Sequence, residues 1–237
     1  MDKLLRYQAK VLKLLEGKMG DFYLAGGTAL SRFYFKHRVS YDLDFFTKKF
    51  SNKKISAIMK DITNSLRTQA SLARQQNKKN MVKLAIYYLN IGKEEVLKID
   101  FVEDFFRLLK PLKTVNGIKI LSLEDIYSRK IFAISGVVGV VDLTGRKFFK
   151  GGRREARDFY DLYFLSHTFM RLSEFAQTYC DSTGKEGLIT WFRTYDRMAI
   201  KTGLLDIITD NKIDYISMEK HFKEEIDRLV KKEIGLL

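Results

Sequence analysis

Residues 24–46, LAGGTALSRFYFKHRVSYDLDFF, place a glycine pair after a short apolar segment and two aspartates on either side of one leucine. The apolar residues 22–25 predict a buried strand, and the pattern after the glycines predicts a short helix over residues 28–35. Residues 41–46 alternate in polarity as a strand does. The stretch therefore predicts a strand, a glycine turn, a short helix and a returning strand.

The glycine turn and the aspartates have two interpretations. On a strand, Asp42 and Asp44 project from one face, where their mutual repulsion would be relieved by a divalent cation. The turn Gly26-Gly27-Thr28 opens a helix, so its backbone N–H groups could receive a phosphate, which Thr28 could also contact. The alternative is a plain turn followed by a solvated strand. Taken alone, the stretch leaves this alternative slightly ahead.

A third carboxylate is expected on a later strand. The segment KIDFV, residues 98–102, places Lys98 and Asp100 on one strand face and apolar residues on the other. Three acids on adjacent strands could hold two metal ions, one activating an attacking hydroxyl and one steadying the leaving oxygen. The alternative is a surface ion pair between Asp100 and Lys98.

The second half of the chain carries two further anomalies. A helix predicted over residues 122–135 has Lys130 inside its apolar stripe, so this lysine must extend to solvent or meet negative charge, which a triphosphate would supply. The segment RDFYDLYFL places Asp158 and Asp161 on one helix face, one turn apart. A surface ion network with Arg154 and Arg157 is the alternative for these two aspartates.

The net charge of +14 over 237 residues favours a polyanionic partner, because lysines and arginines that neutralise phosphates release counterions. Solubility alone is the plainer explanation. The segment TGRKFFKGGRREARD predicts an extended basic loop suited to nucleic acid, with a surface loop of no such function as the alternative. Its nucleic-acid-binding candidates are Arg146, Lys147, Lys150, Arg153 and Arg154.

The remaining features place the chain among folded proteins of a reducing compartment. It has one cysteine, Cys180, and its first residues lack the apolar core of a secretory signal. No apolar run is long enough to span a bilayer, so a cytoplasmic protein without membrane contact is expected. The periodicities predict an α+β fold, with a mixed α and β first half and a mostly helical second half.

Together and in this order, the four motifs resemble the AbiEii/AbiGii abortive-infection nucleotidyltransferase toxins. The resemblance covers roughly residues 22–166. It implies a nucleotidyltransferase-type core with a mixed sheet flanked by helices over residues 1–121 and a helical lobe over residues 122–237. It also implies an enzyme of phage defence that uses Mg²⁺, with Mn²⁺ as the alternative, and a partner antitoxin. Its substrate would be a nucleoside triphosphate, and its acceptor an RNA 3′ end, as in related toxins that modify tRNA.

By matching position, the resemblance assigns Gly27 and Thr28 to the phosphate-holding turn, which Gly26 begins. Asp42 and Asp44 match the metal-binding acids, whereas Asp100 is assigned from strand geometry. Lys130 matches the lysine of the helical lobe, and Asp158 and Asp161 match its RDxxD element. Two other functions stay open: transfer of the nucleotide to a protein hydroxyl, and a non-catalytic module that binds nucleic acid or antitoxin.

Overall fold

The structure, a computed structural model, describes residues 2–78, 81–92, 95–136, 138–141, 147–150 and 152–235. For residues 138–141 and 147–150 it describes the backbone alone. The chain forms two compact units, Met1–Ser122 and Leu123–Leu237.

The first unit is built on a seven-stranded mixed sheet. Its strands are β1 (Phe22–Ala25), β2 (Leu43–Thr47), β3 (Ala70–Gln76), β4 (Leu84–Gly92), β5 (Glu95–Glu103), β6 (Lys113–Val115) and β7 (Ile118–Ile120). They lie in the order β3-β4-β5-β2-β1-β7-β6. The pairs β2–β5 and β1–β7 are parallel, and the other neighbours are antiparallel. The predicted α+β fold with a mixed sheet is confirmed.

Helices precede and follow the first strands of this unit. They are α1 (Lys3–Leu15), α2 (Gly26–Leu30), which continues as a π-helix (Ser31–Phe35), and α3 (Asn52–Leu66). Asp2 accepts a hydrogen bond from the Leu4 backbone N–H and caps α1, while Ser51 caps α3. At the turn between β6 and β7, Asn116 and Gly117 have φ angles of 48° and 73°, which is the backbone of a tight hairpin.

Burial alternates along the central strands and defines two faces of the sheet. On β5, Leu97, Ile99 and Phe101 are fully buried, and Phe101 stacks on Phe45 of β2 with ring centroids 5.6 Å apart. The intervening residues of β5 are only half-buried or exposed. The sheet thus has a core face and an open face, and alternate residues of each strand reach the open one.

The second unit is mainly helical. Its helices are α4 (Leu123–Ser135), α5 (Ala156–Thr168), α6 (Leu172–Tyr179), α7 (Ser182–Thr194), α8 (Arg197–Leu204) and α9 (Tyr215–Glu233). An aromatic core joins them: Tyr127 stacks on Phe175 at 4.1 Å, and Phe159 packs edge-on against Phe222 at 4.8 Å between ring centroids. Within the described part of the chain, no helix is both long and apolar enough to cross a bilayer.

The basic segment differs from its prediction as an extended loop. Two antiparallel strands, β8 (Val138–Val141) and β9 (Lys147–Lys150), form a ribbon, with Val138 opposite Lys150 and Val141 opposite Lys147. Within the predicted loop, residues 147–150 form a strand instead, because the β-branched residues of β8 give them a strand to pair with. Residues 152–155 are irregular, as predicted.

Candidate functional site

The structure brings Asp44 and Asp100 together on the open face of the sheet. Their strands β2 and β5 are parallel neighbours, and Asp44 pairs in register with Asp100. Neighbouring strands lie about 4.8 Å apart, so the two carboxylates are held side by side by backbone hydrogen bonding rather than by flexible loops. Both residues are half-buried.

Asp42 lies outside the strand on which its position was predicted. Strand β2 begins at Leu43, directly after Asp42, and a metal-binding role for Asp42 beside Asp44 stays a prediction. Its backbone is anchored by Thr28, whose hydroxyl donates a hydrogen bond to the Asp42 carbonyl oxygen. Gln8 adds hydrogen bonds of 2.9 Å to the carbonyl oxygens of Ser40 and Tyr41.

Asp100 is an electrostatically unfavourable carboxyl group in the absence of a further cation. Its side chain is 13% exposed, and one oxygen accepts a 2.6 Å hydrogen bond from Lys98 Nζ. The other oxygen, Oδ1, is buried and has no hydrogen-bond partner among the described residues. Burial raises the pKa of Asp100; Lys98 opposes this shift, and the charge of Asp42 adds to it. The predicted ion pair with Lys98 therefore exists but leaves half of the carboxylate unsatisfied.

The charges around Lys98 show that the acids act as one cluster. Burial lowers the pKa of Lys98, but the hydrogen bond to Asp100 and the charges of Asp42 and Asp44 outweigh it, so that the pKa is raised overall. All three carboxylates thus stabilise the same ammonium group.

The carboxylates of Asp44 and Asp100 fit a divalent cation only if substrate phosphates supply further ligands. Among the described residues, no three His, Cys, Asp or Glu side chains form a ready-made metal site. Mg²⁺ is commonly held by one or two carboxylates together with substrate phosphates and water. The adjacent carboxylates of Asp44 and Asp100, with the unsatisfied Oδ1 of Asp100, match that pattern.

The glycine turn packs directly against these carboxylates. Gly26 has a φ of +67°, and a Cβ at this position would overlap Asp44 Oδ2. A Cβ on Gly27 would lie 2.5 Å from Arg38 Nη2 and 3.0 Å from Ser40 Oγ. Gly26 is therefore required by its positive φ and its close approach to a carboxylate, whereas Gly27 lies against a guanidinium group at the end of a longer side chain.

Arg38 is a residue of this site that the sequence did not reveal. It lies in the irregular segment before β2, is 7% exposed, and donates a 3.0 Å hydrogen bond from Nη1 to the Val39 carbonyl oxygen. Its positive charge lies against the glycine turn. A buried arginine is unusual enough to signal a function, but burial within an irregular segment has no periodic signature in the sequence.

Thr28 has a different contact from the one expected. It is fully buried, and besides the Asp42 carbonyl oxygen its hydroxyl lies 3.1 Å from Ser40 Oγ. In this structure it positions the segment that carries Asp42. Its contact with a phosphate stays a prediction.

In the second unit, Lys130 is enclosed between the two aspartates of the RDxxD element. Its Nζ lies 2.6 Å from Asp158 Oδ1 and 2.6 Å from Asp161 Oδ2, and the three side chains are 8%, 4% and 0% exposed. Arg153 Nε lies 3.2 Å from Asp158 Oδ2, a charge contact without hydrogen-bond geometry, since that oxygen has no hydrogen-bond partner among the described residues. The negative charge that the lysine required thus comes from the chain itself, and contact with a triphosphate stays a prediction.

Asp158 and Asp161 do not form the surface ion network that was the alternative prediction. Arg157 lies 4.0 Å from Glu155, and both side chains are more than half exposed. Asp158 and Asp161 are buried, with Lys130 as their shared partner.

The five nucleic-acid-binding candidates are described to different extents. Arg153 is 59% exposed at its side chain, and Arg154 is exposed as well. Lys147 and Lys150 belong to β9, of which the backbone alone is described, and Arg146 lies outside the described residues. Their contact with nucleic acid stays a prediction.

Comparison with known proteins decides the family. The model of the family described as "Nucleotidyl transferase AbiEii toxin, Type IV TA system" matches residues 13–233, nearly the whole chain. The chain belongs to the AbiEii family. It is thus a nucleotidyltransferase of the toxin class, and a cognate antitoxin is its expected partner, as the resemblance implied.

Solved structures agree with this AbiEii assignment at the level of fold. JHP933 from Helicobacter pylori aligns with a TM-score of 0.59 and 18% identity over 100% of this chain and 97% of its own. A candidate nucleotidyltransferase from H. pylori aligns with a TM-score of 0.57 and 17% identity over 97% of this chain and 96% of its own. No curated protein sequence matches the chain.

Proposed function

We propose that this AbiEii protein transfers a nucleotide from a nucleoside triphosphate to the 3′ hydroxyl of an RNA, with tRNA as the expected class, and releases pyrophosphate. The observation that supports it best is the paired placement of Asp44 and Asp100 on adjacent parallel strands, with one oxygen of Asp100 buried and unsatisfied. A buried polar atom without a partner is rare in folded proteins, and at a carboxylate it indicates a missing cation or proton.

Asp44 and Asp100 would hold Mg²⁺, or Mn²⁺ in its place. When bound, the ion supplies Lewis-acid stabilisation of the charge that develops on the phosphate oxygens. Asp100 has a second role in this scheme. Its carboxylate lies beside that of Asp44 on the open face of the sheet, so it would also orient the attacking hydroxyl and accept its proton.

The transfer itself is a substitution at the α-phosphorus. The bond between the acceptor O3′ and the α-phosphorus forms, the bond to the pyrophosphate oxygen breaks, and the O3′ proton passes to Asp100. The turn at Gly26 and Gly27 would admit the phosphates closely, since neither residue has a side chain to exclude them. Arg38, which packs against Gly27, adds positive charge beside that turn.

The basic surface supports RNA rather than protein as the acceptor. A net charge of +14 favours binding of a polyanion such as RNA, because the RNA releases its counterions. A protein that offers a hydroxyl group as acceptor has no such counterions to release. The alternative of a non-catalytic module does not explain why two carboxylates lie side by side, one of them with an unsatisfied oxygen. Their mutual repulsion destabilises the fold, and a module without catalysis has no function that would offset this cost.

The proposal is tested with each of the four triphosphates labelled at the α-phosphate, incubated separately with total tRNA and with a protein extract. The wild-type protein should label tRNA in the presence of Mg²⁺, and Asp44→Asn should lose the transfer. Asp61→Asn, a change at an exposed aspartate of α3, is the matched control and should retain it. Labelling of protein but not tRNA, or full activity of Asp44→Asn, would contradict the proposal.

A further inference from the structure

The open face of the sheet continues past the carboxylates along β4 and β5. Residues that pair across two strands point to the same face, and Ile86 pairs with Asp100 while Tyr88 pairs with Lys98. The next pair on this face is Asn90 with Val96. A continuous strip therefore runs from Asp100 past Lys98 toward the far end of β5.

A depression of about 320 Å³ lies at the end of this strip, at the lower limit of ordinary ligand pockets. Its lining includes Tyr88, Val96, Asn90, Ser71 and Gln69. Tyr88 and Val96 are 38% and 46% exposed, unusually open for large apolar groups on a central strand pair. None of the described residues that line the depression carries a charge.

This lining has the chemistry of a nucleobase site rather than a phosphate site. An aromatic ring provides a stacking surface for any base, and side-chain amides and a hydroxyl provide hydrogen-bond donors and acceptors for its edge. A phosphate would require cations, and these lie beside the depression. Lys98 borders it on β5, and the exposed Arg74 on β3 pairs with Ile86 and so reaches the same face.

The spacing connects the depression to the carboxylates. Tyr88 and Lys98 form the next same-face pair after Ile86 and Asp100, so they are displaced by two residues, or about 7 Å, along the strands. The sugar and base of one nucleotide bridge such a distance. A base at Tyr88 would thus place its own ribose beside Asp100.

We propose that the depression around Tyr88 binds the 3′-terminal base of the acceptor RNA and thereby positions its 3′ hydroxyl at Asp100. This inference rests on the proposed function in taking RNA as the acceptor, and it names where on the protein that RNA ends. Tyr88 is a positioning residue in this scheme, because it contacts the base and not the reacting atoms.

The test measures binding of a short 5′-fluorescent RNA that ends in a 3′-deoxynucleotide, compared with the same RNA whose terminal nucleotide is abasic. Stacking of one base on an aromatic side chain corresponds to about a five- to 100-fold change in affinity. The wild-type protein should therefore bind the abasic RNA about five- to 100-fold more weakly. Tyr88→Ala should bind both RNAs equally and weakly, whereas Tyr88→Phe, which keeps the ring, should behave as the wild type.

Leu72→Ala is the matched control. Leu72 is 46% exposed on the same edge of the sheet, but it pairs with Tyr87 and so lies on the other face. This variant should discriminate between the two RNAs as the wild type does. Melting curves of each variant confirm that it is folded, and the comparison of the two RNAs on the wild-type protein requires no variant.

Three outcomes would overturn the inference: equal binding of both RNAs by the wild type, unchanged discrimination by Tyr88→Ala, or, in a separate titration with a fluorescent nucleoside triphosphate, a Tyr88→Ala defect confined to triphosphate binding. The last would assign the depression to the base of the incoming nucleotide. Since binding is measured without triphosphate or metal, base-dependent binding without any transfer would refute the proposed function alone. Nucleotide transfer to RNA, together with RNA binding that does not depend on the terminal base, would refute this inference alone.

Discussion

Replacing Lys130 with methionine should strongly destabilise the second unit. Lys130 Nζ lies 2.6 Å from Asp158 Oδ1 and 2.6 Å from Asp161 Oδ2, with all three side chains at most 8% exposed. Removing the cation leaves two carboxylates out of water and close together. Breaking a buried ion pair from one side typically costs about 3–5 kcal/mol.

The contact of Arg153 with Asp158 limits this loss but does not remove it, because the Arg153 side chain is 59% exposed and solvent screens its charge. A loss of about 3–5 kcal/mol is a large share of the roughly 5–15 kcal/mol that stabilises a typical domain. It corresponds to a fall in Tm of about 10–20 °C for a unit of this size.

Urea unfolding followed by circular dichroism measures the effect. The triple variant Lys130→Met, Asp158→Asn, Asp161→Asn should recover much of the loss, because neutral groups of similar size replace the whole buried cluster. Lys223→Met removes an exposed pair with Asp227 and should leave the unfolding free energy close to that of the wild type, because solvent screens this pair. A Lys130→Met protein within about 1 kcal/mol of the wild type, or a triple variant no more stable than the single one, would refute this account of the cluster.

Three other changes test the first unit and the lone cysteine. Gly26→Ala adds a Cβ that overlaps Asp44 Oδ2 at a φ of +67°, so nucleotide transfer should fall at least about tenfold. Gly20→Ala is the control, because its φ is similar, +56°, but its Cβ would meet no described atom within 4 Å. It should keep its transfer activity at a stability loss of about 1–3 kcal/mol. Burial raises the pKa of Asp100, so the native state binds the proton of this carboxyl group more tightly than the unfolded state does. The protonated carboxyl group therefore stabilises the fold at low pH, and this stabilisation is lost as the pH rises from the ordinary aspartate pKa through the raised one. In buffer with EDTA, Asp100→Asn should therefore melt higher than the wild type at neutral pH, and a lower Tm would contradict the cause assigned to the shift. Burial also raises the pKa of the Cys180 thiol from 9.0 to about 11, so alkylation at pH 8 should be about 100-fold slower in the folded protein than in urea, and equal rates would show the thiol to be exposed.

The sequence predicted the strand pair of the site because burial on both strands follows a period of two. Asp44 and Asp100 each stand between buried apolar neighbours, which is enough to assign both to the half-exposed face of a strand. The parallel pairing in register was not readable, since it depends on backbone contacts over more than fifty residues of chain. The strand predicted from residue 41 begins at Leu43, because the first residue of a strand is set by such contacts and not by polarity.

Irregular segments account for most of what the sequence could not show. Arg38 becomes a neighbour of Gly27 only through the fold of the segment before β2, which has no periodicity. The partners of Lys130 illustrate the opposite case. Its place in an apolar stripe predicted that it must meet negative charge, but Asp158 lies 28 residues away beyond a β-ribbon, so the pairing required the structure.

Binding of Mn²⁺ by electron paramagnetic resonance, with a non-hydrolysable nucleoside triphosphate present, tests most directly whether the carboxylates of β2 and β5 hold a cation for the substrate. Asp44→Asn, Asp100→Asn and the control Asp61→Asn are compared with the wild type. Loss of a ligand should weaken Mn²⁺ binding at least about tenfold in the first two variants, while the control should bind as the wild type does. Wild-type affinity in both Asp44→Asn and Asp100→Asn would contradict the assignment of this strand pair as the metal-binding centre.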